Sequence, residues 1–271
     1  MFLEDELHAA YKFANAPILN FPFPHFYVEN IFSDNFYSKI QENLLDSSEM
    51  MSMADLYSDN PGLSGYKERM VMDFDKKESM QKAGKSKREF WASFHKNFSP
   101  NFSNILRVKF KKFLDLRFTY LKNVSYTHTL QLVHDKKNYS LGPHTDQPSK
   151  VVSVLIYLPK DHKQILTGTS IYMPKDPSKL NTELPHLHYL RDDFYKVITM
   201  PYMPNSAFCF IKTNNSFHGV EKLEMEETDR WSLQYNIHIT QETADRETEA
   251  RNEHRKAANS SPQKTQSNFS I

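Results

Sequence analysis

The chain has 271 residues and a formal net charge of +1, which admits one large domain or two small ones and excludes a broad field for nucleic acid or anionic lipid. Hydrophobic residues make up 39% and charged residues 25%, with 20 Phe and 14 Tyr, an ordinary soluble balance able to build a sizeable core. A single cysteine, Cys209, excludes an internal disulfide and any zinc-finger spacing, and its apolar flanks predict a buried thiol.

The N-terminal MFLEDELHAA is acidic where a signal peptide is basic, and no apolar run approaches the ~20 residues of a membrane span. The expected compartment is the cytoplasm. Residues 18–28, ILNFPFPHFYV, read as an extended segment. Ser33 reads as the N-cap of a helix from Asp34 to about Leu45. Residues 46–85, rich in Met, Ser, Asp and Lys, read as a long irregular stretch with an exposed lysine run. Lys87 to Phe98 and Ser103 to about Leu121 read as two helices, the second with Leu106, Phe110, Phe113, Leu114 and Leu121 at helical spacing.

The character changes at Val124. From there to Thr240 the chain is a series of short apolar or alternating runs: THTLQLV, VVSVLIYL, TSIYM, YKVITM, SAFCFIK and RWSLQYNIHI. Turn-forming residues between most of them predict an all-β sandwich or barrel rather than βαβ units. VVSVLIYL is apolar on both faces and should be a central, doubly covered strand. The tail after Thr240 is polar and reads as one more helix followed by disorder. The organisation expected is a single domain over 1–271: helical support and an irregular loop in 1–123, a β core in 124–240, and a tail in 241–271.

Within the β region, His144-Thr145-Asp146 places an imidazole and a carboxylate two residues apart, on one side of a strand. A third ligand from a distant strand would complete one face of an ion's coordination shell and leave positions open, as non-haem Fe(II) requires. Alone the triplet means little, since 12 His and the Asp content yield roughly 0.7 such triplets by chance. Context adds to it. His218 follows the apolar run 207–211, and Gly142, Gly168 and Gly219 fall near strand ends. In RWSLQYNIHI, alternation puts Arg230, Ser232, Gln234, Asn236 and His238 on one face. That face is either the wet side of an amphipathic strand or the inside of a barrel, where Arg230 would grip a carboxylate.

The other candidates have simpler readings. His186 and His188 read as surface-loop residues, His238 as structural, and His134-Asp135 as solvated beside Lys136 and Lys137. Tyr139 is a further candidate for lining the pocket, and Tyr189 and Arg191 for touching substrate.

The ordered set LGPHTD, VSVLIYLP, TGTSIY, PNSAFCFIKTNNSFHGV and RWSLQYNI resembles the Fe(II)/2-oxoglutarate-dependent oxygenase superfamily, in its prolyl-hydroxylase-like branch. FPFPHFYVENIF is similar to the leading strand and helix of bacterial members, so the resemblance covers roughly 20–40 and 126–240. It implies a mainly β fold with flanking helices, a double-stranded β-helix (jelly-roll or cupin-like) core supported by N-terminal helices. It implies His144, Asp146 and His218 as iron ligands and catalytic centre. Arg230, Ser232 and Tyr157 would bind the distal carboxylate of 2-oxoglutarate. It also implies an O2-dependent hydroxylase, acting on a protein side chain or small metabolite and releasing succinate and CO2. The retained Asp146 points away from halogenation.

Two readings stay open beside it: a non-catalytic cupin-like module binding metal or glycan, and a Zn(II)- or Mn(II)-dependent isomerase or hydrolase on the same barrel. The oxygenase requires the triad and Arg230 in one cavity, whereas the binding module predicts Arg230 in solvent or paired with an acidic residue. Substrate and oligomeric state are not legible, and no element concentrates basic and aromatic residues as a nucleic-acid reader does.

Overall fold

The structure is a computed structural model and describes residues 3–182, 188–224 and 229–260. In chain order the N-terminal part holds α1 (Leu3–Asn15), β1 (His25–Glu29), α2 (Asp34–Glu42), β2 (Met51–Ser52), α3 (Met53–Leu56), β3 (Arg69–Asp73), α4 (Lys77–Lys82), α5 (Lys85–Lys109) and α6 (Lys111–Arg117). Then come β4 (Tyr126–Asp135), β5 (Leu141–His144), β6 (Lys150–Tyr157), β7 (Ser170–Pro174), β8 (Phe194–Thr199), β9 (Ser206–Ile211), β10 (His218–Val220), β11 (Arg230–Ile239) and α7 (Gln241–Ser260).

The strands form two antiparallel sheets, ordered β1-β9-β6-β11-β4-β3-β2 and β5-β10-β7-β8. Within β4 to β11 the pairing is nested. The first strand pairs with the last, β5 with β10, β6 with β9 and β7 with β8, and successive pairs fall in alternate sheets. This is the winding of a double-stranded β-helix, or jelly roll. It brings positions distant in sequence onto facing strands, which is how a site can be assembled from 144 and 218.

Side-chain alternation decides what each face of the larger sheet meets. The apolar set of β6 and β11, including Val152, Val154, Ile156, Leu233, Tyr235 and Ile237, joins the main core cluster with the helices. In α5, Phe94, Phe98, Phe102 and Leu106 recur every four residues and are buried, so one stripe of that helix covers this face. The opposite face looks into the roll and carries Ser153, Leu155, Arg230, Gln234 and Asn236. The expected central strand is observed: β6 lies between β9 and β11 and is largely buried.

Several expectations change. The two helices read at Lys87 and Ser103 are one helix, α5, which passes through Pro100 and is followed by α6. Proline removes one helix donor, but the buried phenylalanine stripe holds both halves in line, and the Tyr235 hydroxyl donates to the Ser99 carbonyl at 2.7 Å. The stretch 46–85 is not irregular throughout. It contains β3, which pairs with β4 and extends the larger sheet, and α4. Its lysine run is not merely exposed, since Lys87 bonds Glu49 at 2.8 Å and Lys82 donates to the Met50 carbonyl. The acidic N-terminus forms α1, which packs on α5. The tail forms α7, and the disorder expected beyond it falls at 261–271, outside the described residues. Among the described residues, no helix is long and apolar enough to cross a membrane.

Candidate metal centre

His144 is the last residue of β5 and His218 the first of β10, and the two are direct cross-strand partners with ring centroids 4.3 Å apart. Asp146 lies just beyond the end of β5, so the shared direction of His144 and Asp146 comes from the chain leaving the strand and not from strand alternation. One ligand atom from each of the three lies within 4.8 Å of the others, with His218 Nε2 4.0 Å from Asp146 Oδ1. At metal–ligand bonds of ~2.1 Å, ligands on one face sit about 3 Å apart, so the three side chains must draw in to share an ion.

The surroundings prepare them for it. His144 Nδ1 lies 3.0 Å from the Gly142 carbonyl and His218 Nδ1 2.9 Å from the Ser216 carbonyl. A ring nitrogen facing a carbonyl must carry the proton, so both Nε2 atoms present lone pairs. Burial pushes His144 well below the usual histidine range, with the neighbouring His218 adding to it, and burial also lowers His218. Burial alone would raise Asp146, but the Lys150 ammonium, then His218 and His144, outweigh it and hold the carboxyl far below the usual carboxylate range. Lys150 Nζ donates to Oδ1 at 2.8 Å and Ser153 Oγ to Oδ2 at 2.6 Å. Two neutral imidazoles and an ionised carboxylate are the protonation states a divalent cation needs, so these residues fit a metal ion.

The three line a cavity with about 510 Å³ of empty space, some of it open to solvent. Arg230 lines the same cavity although it is 1% exposed. Its Nε donates to the Thr167 carbonyl and its Nη1 to Asp135 Oδ2, both at 2.6 Å. Both of the outcomes set against each other above are therefore present: Arg230 shares the cavity with the triad, and it is paired with an acidic residue. That acid is itself shared, because Arg69 of β3 donates to both of its oxygens.

No family model matches the chain, and no curated protein resembles it in sequence. Solved structures are similar to it at low identity. The carbocyclase SnoK from nogalamycin biosynthesis is 10% identical, with 85% of this chain and 83% of that one covered and a TM-score of 0.48. A Pseudomonas putida prolyl-4-hydroxylase is 9% identical over 87% and 99%, with a TM-score of 0.42. HygX from Streptomyces hygroscopicus, solved with nickel, 2-oxoglutarate and hygromycin B, is 11% identical over 80% and 83%, with a TM-score of 0.41.

The remaining expected site residues divide. Ser232 lies on the inward face of β11, and its buried hydroxyl has no partner among the described residues. Tyr157 is opposite Ser232 in register, and its buried hydroxyl accepts the Thr169 amide at 3.0 Å, which leaves its own O–H to donate. Arg191, expected to touch substrate, is engaged with the backbone. It donates to the carbonyls of Leu141 and Val220 and so ties β5 to β10. Tyr189 packs on Phe194 and Phe217. His188 is exposed, as a surface-loop residue should be, yet it stands beside His144, with ring centroids 5.0 Å apart, and contacts the Tyr66 hydroxyl, while His186 lies outside the described residues. His238, read as structural, has its Nε2 3.3 Å from the Thr129 hydroxyl. Asp135, read as solvated, is fully buried, and His134 is 9% exposed, because β4 ends between β3 and β11 and does not run out into solvent.

Sequence reasoning missed Arg69, Asp135, Lys150 and Ser153. Ser153 had a signal, as the one polar residue inside VVSVLIY. Arg69 and Asp135 had none short of the strand register.

Proposed function

We propose that this chain is an Fe(II)- and 2-oxoglutarate-dependent dioxygenase that hydroxylates an unactivated C–H bond of a small metabolite or protein side chain, releasing succinate and CO2. The observation that carries the reading is that His144, Asp146 and His218 present two neutral imidazoles and one carboxylate to the cavity that Arg230 also lines. Iron with 2-oxoglutarate and O2 would supply the oxidising chemistry. The chain's own residues do the rest. His144, Asp146 and His218 would hold the ion. Gly142 and Ser216 carbonyls fix the imidazoles, and Lys150 and Ser153 fix the carboxylate. Arg230, Ser232 and Tyr157 hold the distal carboxylate of the cosubstrate. Leu155, Phe210 and Val220 line the wall and exclude water. Because Asp146 fills the carboxylate position, the outcome is hydroxylation or another oxidation and not halogenation. The enzyme so read is cytoplasmic and acts without nucleic acid or membrane, in keeping with a net charge of +1.

One observation favours a second reading. The ion pair of Arg230 with Asp135 is what a non-catalytic cupin-like metal- or glycan-binding module would carry. Anaerobic reconstitution with Fe(II) and 2-oxoglutarate separates the two. The oxygenase should develop a weak visible charge-transfer band and release succinate when O2 is admitted. A protein that neither binds nor consumes 2-oxoglutarate, with candidate substrates present, is not this enzyme.

A further inference from the structure

Three charged side chains stand abreast in the larger sheet. Arg69 of β3 is the register partner of Asp135 of β4, which is the partner of Arg230 of β11. Arg69 donates from Nε at 2.6 Å and Nη2 at 3.0 Å to the two carboxylate oxygens, and Arg230 donates from Nη1 to Oδ2 at 2.6 Å. Their exposures are 7%, 0% and 1%. Two guanidiniums share one carboxylate, so the row keeps one uncompensated positive charge out of bulk water, an arrangement that is costly unless an anion completes it.

The surroundings offer unmet donors. Arg69 Nη1 has no acceptor among the described residues. The Tyr139 hydroxyl is buried without a partner among the described residues, and its ring lies 4.3 Å from the Arg69 guanidinium. The Ser232 hydroxyl, also buried without a partner among them, is two residues from Arg230 on the same face of β11. Both arginines line the cavity that holds the His144, Asp146 and His218 side chains.

We propose that Arg69 is a second anion-binding residue which, with Arg230, forms a singly charged clamp for the distal carboxylate of 2-oxoglutarate. Asp135 stays in place as the spacer between the two guanidiniums and sets their combined charge to match one carboxylate. Tyr139 and Ser232 supply neutral donors. The inference rests on the oxygenase reading, and it adds a residue from outside the jelly roll, on a strand that the roll does not need for closure.

The test is calorimetric titration of the Ni(II)-loaded protein with two ligands: 2-oxoglutarate, and 2-oxovalerate, which lacks the distal carboxylate. Losing a charge-assisted hydrogen-bond pair should weaken 2-oxoglutarate binding by Arg69→Gln about 10- to 100-fold. Binding of 2-oxovalerate should stay within about 2-fold, since only the carboxylate reads the clamp. A purely structural Arg69 would instead weaken both ligands alike or neither, and either result overturns the inference. If Arg69→Gln does not fold, Arg69→Lys keeps the charge and loses the fork; a selective loss for 2-oxoglutarate again supports the clamp, and equal behaviour toward the two acids overturns it. Wild-type protein that binds neither acid would sink the oxygenase reading and the clamp together. Wild-type binding of 2-oxoglutarate that the Arg69 variants retain would sink the clamp alone.

Discussion

Each imidazole at the centre is held from behind by the carbonyl two residues before it, Gly142 for His144 and Ser216 for His218. The same local device serves both ligands, and it fixes the tautomer as well as the ring's direction. Asp146 differs, because its two oxygens are already taken by Lys150 and Ser153. It is the one anionic member of the triad, so Asp146→Ala leaves two neutral imidazoles facing a lysine ammonium. The expected outcome is a loss of Ni(II) or Fe(II) affinity of at least about 100-fold, beyond the 10- to 100-fold typical of an outer partner, with the fold retained by circular dichroism. Wild-type metal affinity in this variant would contradict the assignment. At this scale the candidate triad was legible as a set because histidine and aspartate in a fixed order carry their chemistry in their type. Arg69 and Asp135 were not, because a buried charge looks like a surface charge until its partner is known. Asp135 stands next to two lysines in sequence but between two arginines in space.

The elements that carry the ligands are the shortest in the roll, with four residues in β5 and three in β10. Neither is long enough to show an alternating pattern, so neither stood among the six runs read as strands, and β5 was anticipated only through the placing of His144 and Asp146 on a strand. Their pairing is enforced by one residue from outside the two strands and one within β10. Arg191 spans their ends, and Gly219 lets the two backbones close together. A Cβ at Gly219 would lie 2.4 Å from the Leu141 carbonyl oxygen and 2.9 Å from that of Gly142, both backbone atoms that cannot swing aside. Gly219→Ala should therefore push β10 off β5 and carry His218 away from His144. Overpacking of this kind costs about 1–3 kcal/mol, so a lowered thermal midpoint should accompany weakened metal binding. Unchanged metal affinity at a lowered midpoint would mean that His218 is not positioned through this contact. In α5 the difference runs the other way: the two helices expected from Lys87 and from Ser103 are one, because the phenylalanine stripe at four-residue spacing runs straight through Pro100.

For the molecule as a whole, nested pairing explains why a roll was readable while its additions were not. Apolar or alternating runs separated by turns announce six of the eight strands of the core, but β3 has charged ends and two methionines, and joins the sheet at the edge of β4. The same compactness fixes how stability depends on pH. Burial first, and then Lys150, push His238 down to about 4, and burial lowers His25 and His95 as well. These groups stay neutral in the folded chain while the unfolded chain takes up protons near pH 6.5. Stability from them is thus complete above about pH 6.5 and is lost as pH falls from there toward the folded values, by at most about 1.4 kcal/mol per pH unit for each histidine, and less where the ring is partly wet. Asp75 and Glu6, raised by burial, work in the other direction at lower pH, so the clean window is pH 7 to about 5.5. Urea midpoints of the metal-free protein should decline across that window, and His238→Gln should flatten part of the slope because it removes one group that the unfolded state would protonate. A midpoint that holds level or rises between pH 7 and 5.5 would mean these imidazoles are as free to charge in the fold as outside it, which their burial forbids.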